Sequence, residues 1–124
     1  MNFNLFKTIL ILNIFILIGL SCGKKDLVLI KIGPSFTYAG QDFNVQPNGF
    51  SAIWLKVENA TESTVVVWEN TQLDTTYENS KLITAVVPNH LYSNPGEYKI
   101  YLMDLKSGKK SINNLTFTVY SNIK

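Results

Sequence analysis

Two patterns of hydrophobic residues divide the chain into a short N-terminal segment and a longer remainder. An apolar run from Ile9 to Leu20, interrupted only by Asn13, follows Lys7 and has no polar face at helical spacing. From Leu27 onward, the sequence consists of short stretches in which apolar and polar positions alternate. Alternation with a period of two is typical of strands that bury one face, so the remainder is predicted to be β-rich.

Seven short strands are predicted in this remainder. They cover residues 27–32, 52–58, 64–69, 73–77, 82–87, 97–103 and 114–120. Turn-forming segments such as Gly33-Pro34, Asn94-Pro95-Gly96 and Ser107-Gly108 separate them. No stretch keeps helical periodicity for three turns. About seven strands at this spacing predict an all-β domain, an immunoglobulin-like antiparallel β-sandwich.

The phase of the alternation predicts which side chains lie between the two sheets. The positions expected to face inward are Ile53, Leu55, Val57, Val66, Trp68, Ile83, Ala85, Val87, Tyr98, Ile100 and Leu102. Among them, Trp68 is expected to be the core tryptophan that such sandwiches pack between their sheets. The intervening positions of these strands are then predicted to face outward.

Several outward positions are apolar, and four of them form the candidate binding surface. The outward apolar positions are Trp54, Leu82 and Val86 on one sheet and Val65, Val67 and Tyr101 on the other. Exposed Trp and Tyr side chains anchor protein interfaces or stack on sugar rings. We therefore select Trp54, Leu82, Val86 and Tyr101. In the alternative interpretation, loops or lysine stems cover these residues, or the phase is shifted by one residue, which inverts every face.

The only cysteine, Cys22, lies directly behind the N-terminal apolar run. The positive Lys7, the apolar run and the small Ser21 have the layout of a secretory signal peptide. The segment Gly19-Leu20-Ser21-Cys22 resembles the lipobox of bacterial lipoproteins, although a Gly stands where Leu is commonest. This resemblance implies that residues 1–21 are removed and that the Cys22 thiol carries a diacylglycerol. Ordinary secretion is one alternative; a membrane-spanning helix is another, but it needs about 20 apolar residues, more than this run provides.

These observations divide the chain into three parts. A signal peptide covers residues 1–21, a lipidated cysteine with a short tether covers 22–26, and the sandwich domain covers 27–124. The four tether residues after Cys22 reach at most about 14 Å, which keeps the domain close to the bilayer. Lys24 and Lys25 in this tether are either contacts for anionic headgroups or a solvated spacer. Because Gly23 replaces the Asp that retains some lipoproteins in the inner membrane, the outer membrane is predicted, with its face left open.

Six segments of the predicted domain are informative when they are taken together. In chain order they are Ile32-Gly33-Pro34, Ala39-Gly40, Val65-Val66-Val67-Trp68-Glu69-Asn70, Lys81-Leu82-Ile83-Thr84-Ala85-Val86-Val87-Pro88, Pro95-Gly96-Glu97-Tyr98-Lys99-Ile100 and Leu115-Thr116-Phe117-Thr118-Val119. This series resembles the IPT/TIG family. The resemblance covers nearly all of residues 27–121. It implies an immunoglobulin-like sandwich that serves as a binding or spacer module rather than an enzyme. One departure is Glu69-Asn70, where many members have Asn-Gly after the tryptophan, so a different turn is expected there.

The charged residues give no sign of nucleic-acid binding or catalysis. The chain has 11 basic residues, all of them lysine, and nine acidic residues, and no basic stripe runs along it. Nucleic-acid binding usually needs clustered Lys and Arg. His90 is the only histidine and Cys22 the only cysteine, so a zinc site or a Ser-His-Asp arrangement lacks partners. The sequence therefore predicts no catalytic residue, no metal site and no cofactor.

The resulting hypothesis is a non-enzymatic lipoprotein, attached to the membrane through a lipid on Cys22, that acts as a protein-interaction module in the cell envelope. The alternative is a surface glycan-binding accessory lipoprotein that uses exposed aromatic residues such as Trp54 or Tyr101. The two hypotheses share the anchor and the fold. They differ in the partner, which is an envelope protein in the first and a glycan in the second.

Overall fold

A computed structural model describes residues 25–122, which fold into two β-sheets packed face to face. The nine strands are β1 (Val28–Gly33), β2 (Phe36–Tyr38), β3 (Ser51–Glu58), β4 (Thr64–Trp68), β5 (Thr71–Gln72), β6 (Thr75–Asn79), β7 (Leu82–Val87), β8 (Gly96–Asp104) and β9 (Leu115–Tyr120). A short 3-10 helix, Asn89–Tyr92, joins β7 to β8. The predicted signal peptide and Cys22 lie outside the described residues. Within residues 25–122, no helix is long and apolar enough to cross a bilayer.

The order of the strands confirms the predicted immunoglobulin-like sandwich. The first sheet has the order β1-β3-β7-β6, and the second sheet has the order β2-β9-β8-β4-β5. Immunoglobulin domains place strands A, B, E and D on one sheet and strands C, F and G on the other. The first sheet reproduces the A-B-E-D order, and β4, β8 and β9 take the places of C, F and G. One pair departs from the antiparallel prediction, because β2 runs parallel to β9.

All seven predicted strands are present, and the fourth is shifted along the chain. It begins at Thr75 rather than at residue 73, because the chain crosses between the sheets at this point. The Leu73 N–H still donates to the carbonyl of Val66 in β4, at 2.8 Å. The Thr75 hydroxyl then accepts from the Val66 N–H at 2.9 Å, in place of a backbone carbonyl. Strands β2 and β5 were not predicted, since three and two residues are too short to show an alternating pattern.

The core lies between the two sheets, and every residue predicted to face inward packs in it or against it. Trp68 is 1% exposed and lies on the strand equivalent to C, which confirms its prediction as the core tryptophan. Its ring centroid lies 4.9 Å from that of Phe117 and 5.4 Å from that of Tyr98. The Tyr98 hydroxyl donates to the carbonyl of Asn94 at 2.7 Å, the tyrosine corner of immunoglobulin folds. Within the described chain, the buried Trp68 Nε1 has no hydrogen-bond partner.

The connections between strands gather at two opposite ends of the sandwich. Residues 25–27 enter beside the β3–β4, β6–β7 and β8–β9 connections, and we call this the tether end. The Asn59 side chain donates to the carbonyl of Asp26 at 2.7 Å, and the Ala60 N–H donates to that of Ser80 at 3.0 Å. The β2–β3, β4–β5 and β7–β8 connections lie at the opposite end, which we call the far end.

A buried tyrosine fixes the long β2–β3 loop at the far end. Tyr92, in the 3-10 helix, is 1% exposed. Its hydroxyl donates to Asp42 Oδ1 at 2.7 Å and lies 2.8 Å from the Ser51 hydroxyl. The Phe43 ring packs against it at a centroid distance of 4.9 Å. These contacts fix the position of the β2–β3 loop, which borders the outer face of the first sheet.

Candidate functional site

The four predicted surface residues lie on two opposite sides of the sandwich. Trp54 in β3 and Leu82 and Val86 in β7 belong to the outer face of the first sheet. Tyr101 in β8 belongs to the outer face of the second sheet. All four side chains are half-buried. One ligand therefore cannot contact all four, and each side has to be considered as a separate site.

Trp54 lies flat against its own sheet. The register pairs Trp54 with Gly33 of β1 on one side and with Thr84 of β7 on the other. A Cβ placed on Gly33 would overlap with the indole, and it would lie 2.8 Å from Cη2. The Lys31 ammonium lies over the same ring, 5.9 Å from its centroid, at cation–π distance. An aromatic residue that covers a strand glycine is a recognised device for stabilising sheets, so the glycine sets where the indole lies.

A cleft of about 520 Å³ lies between Trp54 and the β2–β3 loop. Val86 stands opposite Ala52 in the β3–β7 register, and both line the cleft with Trp54. The polar lining residues are Asn44, Gln46, Asn48, Asp74, Thr76, Glu78 and Thr84. Leu82 is not among the lining residues, because it stands opposite Lys56, nearer the tether end. The structure thus brings together two of the three residues predicted for this sheet.

The loop that borders this cleft is held by its own side chains. Asn44 Nδ2 donates to the carbonyl of Ala52 at 3.1 Å, and Gln46 Nε2 donates to that of Asn44 at 2.8 Å. Asn44 has a positive φ of 43°, a conformation that Asn tolerates better than most residues. The cleft combines a half-exposed indole with amides, hydroxyls and two carboxylates. Such a lining can hold a ligand that has both an apolar face and several hydroxyl groups.

On the second sheet, Tyr101 is covered in part by lysine. The Lys110 ammonium lies over the Tyr101 ring, 5.4 Å from its centroid. Val67, which was predicted to face outward beside Tyr101, points away from the core but is only 3% exposed. It is flanked on the neighbouring strands by Tyr101 and Gln72, so it adds no exposed apolar surface. The half-buried Val65 and Tyr101 leave little apolar surface in this row.

An aromatic triad on the second sheet was missed by the sequence reasoning. It consists of Phe36 and Tyr38 in β2 and Tyr120 in β9, which are 49%, 44% and 50% exposed. The three ring centroids lie 5.8 to 6.3 Å apart, and two of the three ring pairs meet edge to face. The parallel register places Tyr38 directly opposite Tyr120. The sequence signal was the alternation of Phe36 and Tyr38 around Thr37, which is 4% exposed, but a three-residue strand was too short to recognise.

The described residues contain no arrangement suited to metal binding. Among them, no three His, Cys, Asp or Glu side chains are grouped closely enough to hold a metal ion. His90 is exposed in the 3-10 helix at the far end. No protein-family model matches the chain, and a search of curated proteins finds no match. The similarity to the IPT/TIG family therefore stays a prediction from the quoted segments.

Proposed function

We propose that this chain is a lipid-anchored protein-interaction module of the bacterial cell envelope, built on one IPT/TIG-like sandwich and without enzymatic activity. The anchor is supported by the sequence around Cys22, which has a signal-peptide layout and a lipobox-like segment. Metabolic labelling with an alkyne-bearing fatty acid tests it, and Cys22→Ser is the control. We expect the fatty-acid label on the wild-type protein and none on the variant. An unlabelled wild-type protein would exclude the anchor.

The aromatic triad is the observation that favours a protein partner. Phe36, Tyr38 and Tyr120 are each close to half exposed, yet their rings already pack against one another. Aromatic side chains that are ordered before binding lose little conformational entropy in a complex, and Tyr is enriched among the residues that dominate binding energy. A group of exposed rings on one sheet also exceeds the single exposed apolar residues that are ordinary on protein surfaces.

Site-specific photo-crosslinking in cells tests the triad. Tyr38 is replaced by the photoreactive p-benzoylphenylalanine, and the same probe at Phe50, which is 50% exposed in the β2–β3 loop, is the matched control. We expect one discrete protein adduct from position 38 and none from position 50. The adduct should disappear when Phe36→Ala and Tyr120→Ala are added. Equal adducts from both positions, or an adduct that survives both substitutions, would contradict the triad as the interface.

Glycan binding is the second candidate function, and the cleft beside Trp54 favours it. An indole that lies flat on the sheet and lines one cleft with the Asp74 and Glu78 carboxylates has the composition of a sugar site. Electrophoresis through polysaccharide-containing gels tests this function. We expect retarded migration that Trp54→Ala abolishes and that Tyr101→Ala, on the opposite sheet, leaves unchanged. Equal mobility of the wild-type protein in all gels would leave the protein-interaction function alone.

A further inference from the structure

The tether end carries an exposed connection in which apolar residues and lysines lie side by side. β8 and β9 are joined there by residues 105–114, and Leu105, Lys106 and Lys109 in this connection are exposed. Leu105 is 52% exposed and Ile112 is 64% exposed, which is a large fraction for apolar side chains. Apolar side chains flanked by lysines are typical of segments that lie in the headgroup region of a membrane.

The connection begins with a turn that is held in a fixed shape. The Asp104 carboxylate accepts hydrogen bonds from the Ser63 hydroxyl and, at 2.8 Å, from the Ser107 hydroxyl. The Asp104 N–H donates to the carbonyl of Lys109 at 2.8 Å, which closes the turn. The Leu105 N–H donates to the carbonyl of Ser63 at 2.9 Å and ties the turn to the β3–β4 connection. Leu105 and its neighbouring lysines are therefore presented on ordered backbone.

The tether enters the domain beside this turn. Lys25 and Asp26 line a cleft of about 450 Å³ together with Ser107 and Lys109 of the turn. The Asp26 carbonyl is held by the Asn59 side chain at 2.7 Å, so the point of entry is fixed. Asp26 is the fourth residue after Cys22, which places the two at most about 14 Å apart. A lipid on Cys22 would hold the bilayer surface within that distance of the entry point.

The two ends of the sandwich differ in charge. At the tether end, five lysines face four carboxylates: they are Lys25, Lys81, Lys106, Lys109, Lys110, Asp26, Glu58, Glu62 and Asp104. At the far end, the charged side chains in and beside the connections are Asp42, Glu69, Asp74, Glu97 and Lys99, so carboxylates outnumber lysines there. None of the far-end connections in residues 25–122 contains a lysine. An anionic surface repels the far end and favours the tether end, where the lysine stems extend from the turn.

We propose that the tether end docks on anionic phospholipid headgroups, with Leu105 among the headgroups and Lys106 and Lys109 against the phosphates. This inference rests on the proposed lipid anchor at Cys22 and deepens it. The domain then stands on the bilayer in one orientation, with its strands pointing away from the membrane, instead of moving freely on its tether.

Fluorescence of the full-length acylated protein on vesicles tests the orientation. Leu105→Cys provides a labelling site for the environment-sensitive dye NBD, and Asn89→Cys at the far end is the control label. The vesicles are phosphatidylcholine alone or phosphatidylcholine with phosphatidylglycerol, and flotation reports anchoring separately. We expect the dye at position 105 to become brighter and blue-shifted on the vesicles with phosphatidylglycerol, and the dye at position 89 to stay water-like on both.

Substitution of the lysines tests the charge contribution. Lys106→Gln with Lys109→Gln should lower the docked-to-undocked ratio about five-fold per lysine removed, and added salt should lower it further. Lys31→Gln with Lys99→Gln makes the same charge change on the strand faces and should have no effect. A protein that floats while position 105 stays water-like would overturn the docking and leave the anchor intact. If the protein fails to float, the proposed anchor is wrong. A blue shift of the dye at position 105 with excess phosphatidylglycerol vesicles would then still support docking, whereas the absence of that shift would overturn the docking as well.

Discussion

The Trp54 indole lies over Gly33, so the effect of Gly33→Ala on the free energy of unfolding should change sign when Trp54 is removed. A Cβ at position 33 would overlap with the indole and lie 2.8 Å from its Cη2 atom. Overpacking of this kind lowers the free energy of unfolding by about 1–3 kcal/mol, because the ring has to leave its place. Gly33 has no positive φ. The backbone at position 33 therefore accepts alanine without strain. In the absence of the indole, alanine there should raise the free energy of unfolding by about 0.4–1 kcal/mol, because it restricts the unfolded chain.

We therefore expect Gly33→Ala to lower the free energy of unfolding by about 1–2 kcal/mol when Trp54 is present. When Trp54→Ala is already present, the same substitution should raise the free energy of unfolding by about 0.4–1 kcal/mol. Urea denaturation, followed by far-ultraviolet circular dichroism, of the wild type, the two single variants and the double variant gives the coupling between the two positions.

Gly40→Ala is the matched control for this cycle. Gly40 has a φ of 76° and no neighbouring atom within 4 Å of a Cβ position, so an alanine there is strained by its own backbone. Its cost, about 1–2 kcal/mol, should be the same with and without Trp54. If Gly33→Ala destabilises both backgrounds equally, the indole does not lie over Gly33. The description of the cleft wall would then be wrong.

Two further predictions concern hydrogen bonds at the two ends of the sandwich. Tyr92→Phe should lower the free energy of unfolding by about 1.5–3 kcal/mol, because the buried hydroxyl donates to the Asp42 carboxylate. Urea denaturation measures this loss, and Tyr38→Phe at an exposed position is the control, for which we expect little change in the free energy of unfolding. Burial raises the pKa of Tyr92. The contribution of its hydroxyl to stability is therefore complete below the ordinary tyrosine pKa and is lost as the pH rises through the pKa of the folded protein. Thermal melts of the wild type and of Tyr92→Phe should therefore converge at high pH. The Ser63 hydroxyl lowers the pKa of Asp104. The contribution of the Asp104 carboxylate to stability is therefore present above the ordinary aspartate pKa, and it is lost as the pH falls through the pKa of the folded protein. In thermal melts, Asp104→Asn should therefore lose less stability than the wild type as the pH is lowered. An equal loss of stability in both proteins would contradict this assignment.

The parts of the fold that the sequence predicted are those in which one face of a strand is buried over several residues. Ile53, Leu55 and Val57 repeat with a period of two along β3, and all three are at most 1% exposed. Such a repeat fixes both the strand and its inward face, because a shift of one residue would turn the whole set to solvent. The same reasoning identifies Trp68 as the core tryptophan, and it is 1% exposed.

The parts that could not be predicted depend on pairing between distant segments. Tyr38 and Tyr120 meet only because β2 pairs in parallel with β9, and no local pattern specifies that pairing. Trp54 reaches Gly33 through a β1–β3 register that shifts between Leu29 and Lys31, and such a bulge leaves no distinct mark in the sequence. The candidate surface was therefore predicted residue by residue, whereas its division into two sides and its extension by the triad required the structure.

The proposed orientation would decide which partners can reach each candidate surface. β8 runs from the far end to the tether end over nine residues, which corresponds to about 30 Å. Tyr120 pairs beyond the Gly96 end of β8, so the aromatic triad would lie about that far above the headgroups if the tether end faces the bilayer. A partner of the triad would then have to extend from the membrane or approach from the side. A protein buried in the bilayer could not reach it, whereas a domain that projects by a similar distance could, and this favours an envelope assembly over a contact within the membrane.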